Sequence, residues 1–159
     1  VIPAGESSFV SASNGIDYLS KTIKEPDAIV LVHDAVRPLI TQDIISRNIA
    51  VCLTHGNAIT ASQSHEAYLV TSDGYAADGF RPREGLMRAQ TPHTFPLTTL
   101  TKMIKIAREK DIKESQSVFT LAGELGIMPL HIAQGDLRNF KITEQSDILV
   151  YRALKALEE

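Results

Sequence analysis

The 159-residue sequence predicts an α/β fold, a mostly parallel sheet with helices on both faces and a projecting β-arm. Three observations carry that expectation. Helical and strand-like segments alternate through the first part of the chain, one strand is an unbroken apolar run, and a central stretch loses helical period altogether. Alternation of this kind builds a parallel sheet covered on both sides.

Taken in order, Ile16, Leu19 and Ile23 recur at helical spacing, so residues 10–24 read as a helix broken by Pro26 and Asp27. Ala28-Ile29-Val30-Leu31-Val32 is β-prone and wholly apolar, which fits a strand covered on both faces. Thr41 offers a helix cap, and Ile44, Ile45, Ile49, Cys52 and Leu53 form the inner stripe of a second helix that Gly56 closes. Residues 57–61 form the next strand.

The rhythm then changes. Residues 62–88 hold a strand at 67–71 and an Asp73-Gly74 turn signal, and read as a β-rich arm or lid, because long structureless loops are uncommon in compact domains. Helical order returns over 96–110, with Thr94 a candidate cap, and again over 117–125, stopped by Gly126. Residues 128–133 read as the last core strand, and Thr143 as the cap of a closing helix carrying Ile148, Tyr151 and Leu154. With no repeat, low-complexity tract or linker, residues 1–159 are expected to form a single domain. The chain starts with Val1-Ile2-Pro3 entering what reads as a strand end, so an N-terminal segment is expected to be missing.

Composition narrows the function classes. The chain is 43% hydrophobic and 22% charged, with a formal net charge of -3. That balance recruits no nucleic acid, although it would hide a local anion site. No apolar run approaches the roughly 18 residues that span a bilayer, so no membrane partner is expected. The single cysteine, Cys52, cannot form an internal disulfide and reads as a buried, inert thiol. A cytoplasmic location is compatible with it. His33, His55, His65, His93 and His131 show no metal-ligand spacing, and neither a GxSxG nor a Walker-type motif occurs.

Three local patterns remain as site candidates. His33-Asp34-Ala35-Val36-Arg37-Pro38 follows the apolar strand, and ligands gather at the carboxyl ends of strands in open α/β sheets. A carboxylate there can face a metal ion or hydroxyls, and a guanidinium can grip a phosphate. An ordinary polar loop with a surface ion pair would look the same. Gln90-Thr91-Pro92-His93-Thr94-Phe95 leads into a helix, and Thr91 has no obvious local duty, so a free hydroxyl beside helix-start amides would suit an anion. A plain strand-to-helix turn is the alternative. In Asn139-Phe140-Lys141-Ile142-Thr143, Lys141 points opposite to two apolar neighbours if the segment is extended, toward either a phosphate or solvent.

As an ordered set, these motifs resemble the cytidylyltransferases of 2-C-methyl-D-erythritol 4-phosphate and of ribitol 5-phosphate, a likeness that runs the length of the chain. The resemblance implies a Rossmann-like nucleotidyltransferase fold that binds CTP with Mg²⁺, an attack by a sugar- or polyol-phosphate oxygen on the α-phosphorus, and release of pyrophosphate. It implies roles as well. Gly5 and Glu6 fall where the family contacts cytosine, and Ser11 falls on its base-contacting serine. Asp34 matches the aspartate on the nucleotide and metal side, and Arg37 matches the arginine of the same loop. Thr91 and Lys141 match residues that hold the acceptor. Arg83 matches an arginine of an arm that reaches across a homodimer into the partner's site.

Departures accompany the likeness. The family's glycine-rich loop has no counterpart and would lie before Val1, which leaves this chain alone an expected weak or dead catalyst. The arm's Asp-Thr pair is replaced within Glu66-Ala67-Tyr68-Leu69, and Gln116-Ser117-Val118 stands where the family has Thr-Asp-Asp. These changes point toward ribitol phosphate or another polyol phosphate, as in surface-polymer synthesis, ahead of the methylerythritol phosphate of isoprenoid synthesis. A non-catalytic dimerisation or regulatory module derived from such an enzyme is the alternative, followed by a sugar nucleotidyltransferase using another nucleotide.

Overall fold

Side-chain caps set the helix starts. In the computed structural model, which describes residues 1–25 and 27–157, the Ser7 hydroxyl accepts the Val10 amide and opens α1, Ser8–Thr22. The expected break at Pro26 lies outside the described residues. Strand β1 spans Ile29–Val32. Thr41 caps α2, Gln42–His55, as its pattern predicts, and Gly56 ends it at φ 82°, a left-handed geometry that glycine adopts without a Cβ clash.

After β2, Ala58–Gln63, the chain enters the arm, where β3, Tyr68–Val70, pairs antiparallel with β4, Gly79–Arg81. The Asp73 carboxylate accepts the Tyr75 and Ala76 amides and closes the arm's tip, so the expected turn is present. The chain returns as β5, Met87–Pro96, and runs directly into α3, Leu97–Glu109. Helix α4, Val118–Glu124, starts with a reciprocal Ser117–Thr120 capping box. The last elements are β6, Ile132–Gln134, and α5, Gln145–Ala156.

The main sheet has the order β1-β5-β2-β6. Strands β1, β2 and β6 run in one direction, as expected of an alternating chain. Strand β5 sits between β1 and β2 and is antiparallel to both, so the sheet is mixed rather than mostly parallel along its ladders. The reason is the arm. A strand that leaves the sheet into a hairpin-like excursion comes back in the opposite sense, whereas a helical crossover would have preserved it.

Helices cover both faces, as predicted. Ile16 of α1, Met103 and Ile104 of α3 and Leu121 of α4 pack with Ile59 and Phe95 on one side. Cys52 of α2 packs with Ala58 and Ala133 on the other. Cys52 is buried, and burial raises its thiol pKa, in keeping with an inert role.

Three local expectations are corrected, while β1, half-buried and bordering only β5 among the described residues, is covered on both faces as expected, Val30 and Val32 packing on one cluster and Ile29 on the other. Thr94 lies inside β5 and its hydroxyl donates to Asn48, so it caps nothing. The last strand is shorter than 128–133, because Pro129 has no N–H for a ladder; the Asn57 amide instead brackets this stretch, donating to Pro129 O and accepting His131 N. Glu144, not Thr143, is the N-cap of α5, while Thr143 donates to Asp147. No helix is long and apolar enough to cross a membrane among the described residues.

Candidate functional site

The β2–β5 ladder contains an irregularity that shapes the site. Ile59 pairs with His93 and Ala61 with Ala89, so Thr60 alone faces Gln90, Thr91 and Pro92. Pro92 cannot donate to the ladder, and its carbonyl instead accepts the Thr60 hydroxyl at 2.7 Å. Bulges of this sort re-aim side chains. Here the Thr91 hydroxyl meets the first turn after β1, accepting the Asp34 amide at 3.0 Å and meeting His33 Nδ1 at 3.0 Å.

Asp34 is the centre of the cluster. Its Oδ2 is 3.3 Å from Arg37 Nε and 3.5 Å from Lys141 Nζ. Lys141 arrives from the segment after β6. That segment is docked by the Ile142 amide, which donates to Val36 O, and by Arg37 Nη1, which donates to Asn139 O at 2.9 Å. The Asn139 side chain is fully buried and donates to Thr91 O at 2.8 Å. Close approach is needed nearby at Gly135, where a Cβ would lie 2.3 Å from Gln90 Oε1. Lys141 is exposed while Phe140 and Ile142 are half-buried, which matches the expected alternation.

The structure thus brings Asp34, Arg37, Thr91 and Lys141 to one rim, at the carboxyl ends of β1 and β6. The Asp34 carboxylate sits between two cations, a region that can hold an anionic ligand while orienting its hydroxyls. One expectation fails in detail. The Thr91 hydroxyl is not free, and β5 continues past it to Pro96, so the start of α3 is not beside it.

The other sequence candidates occupy different places. The Ser11 hydroxyl accepts the Gly5 amide at 2.9 Å, and a Cβ on Gly5 would fall 2.4 Å from Val10 Cγ1, so that turn needs glycine. Glu6 is exposed in the same turn. Arg83 takes no part in the Asp34 cluster; it pairs with Glu84 in the arm, and both are exposed. Among the described residues no three His, Cys, Asp or Glu side chains form a metal-binding group.

A cavity of about 80 Å³ reaches from Asp34 and Thr91 down to the α1, α3 and α4 core, with Ser8, Gln116 and Ser117 at its polar side. His93 lines it, 3% exposed, with its ring edge against Phe119. Burial pushes His93 down to about 4, against the opposing pull of Asp34, so the ring is neutral, and its Nε2 has no hydrogen-bond partner among the described residues. Sequence reasoning passed over His33, His93 and Asn139. All three sit inside the motifs quoted above, and only spatial contact reveals their bonds.

Comparison with known proteins places the chain in a family. The family profile described as IspD, 2-C-methyl-D-erythritol 4-phosphate cytidylyltransferase, matches residues 1–156. The chain belongs to the IspD family. A ribitol-5-phosphate cytidylyltransferase of Vibrio parahaemolyticus is 30% identical over the whole chain, which covers 66% of that enzyme. A 2-C-methyl-D-erythritol 4-phosphate cytidylyltransferase of Thermosipho melanesiensis is 28% identical over 93% of the chain and 63% of its own length. The chain therefore spans slightly less than two thirds of these relatives. In structure, the 2-C-methyl-D-erythritol 4-phosphate cytidylyltransferase of Thermus thermophilus superposes with a TM-score of 0.84, at 24% identity, over 98% of this chain and 72% of that one. The mixed sheet with an inserted antiparallel strand is thus the IspD fold.

Proposed function

We propose that this IspD-family chain carries the acceptor side of a cytidylyltransferase, moving CMP from CTP to a polyol phosphate, with ribitol 5-phosphate ahead of 2-C-methyl-D-erythritol 4-phosphate. The observation that carries the reading is Asp34 Oδ2 held by Arg37 and Lys141 beside Thr91, four residues drawn from three distant segments. In the reaction an acceptor phosphate oxygen forms a bond to the α-phosphorus, and the bond from that phosphorus to the β-phosphate bridge breaks, releasing pyrophosphate. Negative charge accumulates along that line. Arg37 and Lys141 would neutralise it on the acceptor side, and fixed cations in a partly dehydrated rim need no reorganisation.

A magnesium ion fits as an ion shared with the substrate phosphates. Mg²⁺ is commonly held by one or two carboxylates plus phosphates, and Asp34 is the carboxylate at this rim. The ion would supply charge neutralisation on the triphosphate. Gly5, Glu6 and Ser11, at the start of α1, form the cytosine side of the same reading. The exposed arm supports a homodimer in which Arg83 serves the partner's acceptor phosphate. The preference for ribitol phosphate rests on the relatives' names and on Glu66-Ala67-Tyr68-Leu69, which offers no threonine hydroxyl.

The test is a product assay on the full gene product with CTP, Mg²⁺ and a panel of sugar and polyol phosphates, reading pyrophosphate and the CDP-linked product. Turnover of ribitol 5-phosphate in preference to the branched acceptor is expected. A folded protein that neither binds CTP nor releases pyrophosphate with any acceptor overturns the reading and favours a non-catalytic dimerisation module.

A further inference from the structure

Both ring nitrogens of His33 are committed, and their partners determine where its proton sits. Nε2 lies 3.1 Å from the carbonyl oxygen of Arg37, and Nδ1 lies 3.0 Å from the Thr91 hydroxyl. A carbonyl only accepts, so Nε2 carries the hydrogen of the neutral ring and Nδ1 presents its lone pair. The Thr91 hydroxyl must then donate to Nδ1. The same oxygen already accepts the Asp34 amide at 3.0 Å. A hydroxyl has one hydrogen and two lone pairs, so a single lone pair is left for the cavity that Thr91 lines.

We infer that His33 is a positioning residue that fixes the polarity of Thr91, making it an acceptor for a substrate hydroxyl rather than a donor to a phosphate oxygen. The consequence is a division of labour at the rim. An anionic phosphate oxygen has no hydrogen to offer and would face a lone pair at Thr91, so it belongs with Arg37 and Lys141. A polyol hydroxyl can donate to Thr91. The Nε2 bond to Arg37 O also ties the loop that carries Arg37 back to its own start, so one ring orients the hydroxyl-reading and the phosphate-reading groups together. This inference rests on the acceptor-site reading above.

Two experiments test it, and the first is independent of turnover. Long-range ¹H–¹⁵N spectra of the labelled full gene product should show His33 protonated on Nε2 with a hydrogen-bonded, pyridine-like Nδ1. A ring protonated on Nδ1 would overturn the inference. The second is kinetics of the full gene product. His33→Leu should raise the acceptor KM about tenfold, with the CTP KM held within about threefold, because one oriented hydrogen bond to the acceptor is lost. His33→Asn, whose side-chain oxygen can stand where Nδ1 stood, should restore most of that loss. Equal rises in both KM values, or no rise in either, would mean that His33 is merely structural. If the leucine variant does not fold, the tautomer and the asparagine variant still decide. A wild-type protein without cytidylyl transfer would strike the proposed function, whereas the tautomer measurement would still stand.

Discussion

The rim around Asp34 and the arm at 64–86 are built by opposite means. At the rim, local bonds such as Arg37 to Asp34 are joined by bonds between segments far apart in the chain: Asp34 to Thr91, Arg37 to Asn139, Asn139 to Thr91, and Lys141 to Asp34. In the arm the side-chain bonds are local, such as Ser64 to Tyr68 and Thr71 to Asp73, and Leu69, Tyr75 and Phe80 stand in solvent. The rim is therefore preorganised by the fold itself, which is what a site for charged ligands needs. The arm is a short ribbon with its apolar side chains outward, and two strands alone are marginally stable. One region is finished within the chain, while the other has the character of a surface awaiting contact.

The contrast can be broken most sharply at Asp34. Removing the carboxylate leaves Arg37 and Lys141 without their shared counter-charge, and Asp34→Ala should lower kcat/KM by about a thousandfold, roughly 4 kcal/mol of barrier. Circular dichroism should show the fold retained. A loss below tenfold would mean the rim is structural rather than catalytic.

His93, beneath the rim, gives the next effect. Its folded pKa, about 4, lies below the ordinary 6.5. Between those values the unfolded chain takes up a proton that the folded chain refuses, so stability falls as pH drops through this window and levels off below about 4. The difference corresponds to up to about 3 kcal/mol. Denaturation midpoints of His93→Gln should depend less on pH than those of the parent, and parallel curves would contradict the burial argument.

The arm is tested by charge. Leu69 and Phe80 face each other across β3 and β4 and both are exposed. For the proposed homodimer, the double change Leu69→Asp with Phe80→Asp should weaken association about thirtyfold, roughly 2 kcal/mol, in sedimentation, with helix content unchanged. Unaltered association would remove the arm from the interface. The smallest effect belongs to Ser117, whose capping box starts α4 beside the cavity. Ser117→Ala should cost about 1 kcal/mol in urea unfolding.

Sequence legibility followed the same divide between local and distant causes. Caps and stops written in neighbouring residues, such as Thr41, Gly56 and the Asp73-Gly74 turn, were readable and are present. The convergence of Asp34, Arg37, Thr91 and Lys141 was reachable through their motifs. What could not be read was sense and partnership. Nothing in Gln90-Thr91-Pro92-His93-Thr94-Phe95 says that its strand returns antiparallel, because that depends on the excursion before it. Thr94 looks like a cap until Asn48, on another element, claims its hydroxyl. The fate of the Thr91 hydroxyl likewise depends on His33, which no spacing rule singles out.

The insertion of β5 between β1 and β2 has a further effect, on the order of events at birth. Among the described residues every ladder of the main sheet includes β5 or β6, so none of these ladders can close before β5 or β6 has been synthesised. The ladder that joins Ile29-Val30-Leu31-Val32 to Phe95 and its neighbours forms only after β5 has emerged. Contacts of such separation slow folding and leave apolar strands unguarded in the meantime. A nascent chain stalled before β5 is consequently the species most in need of a chaperone.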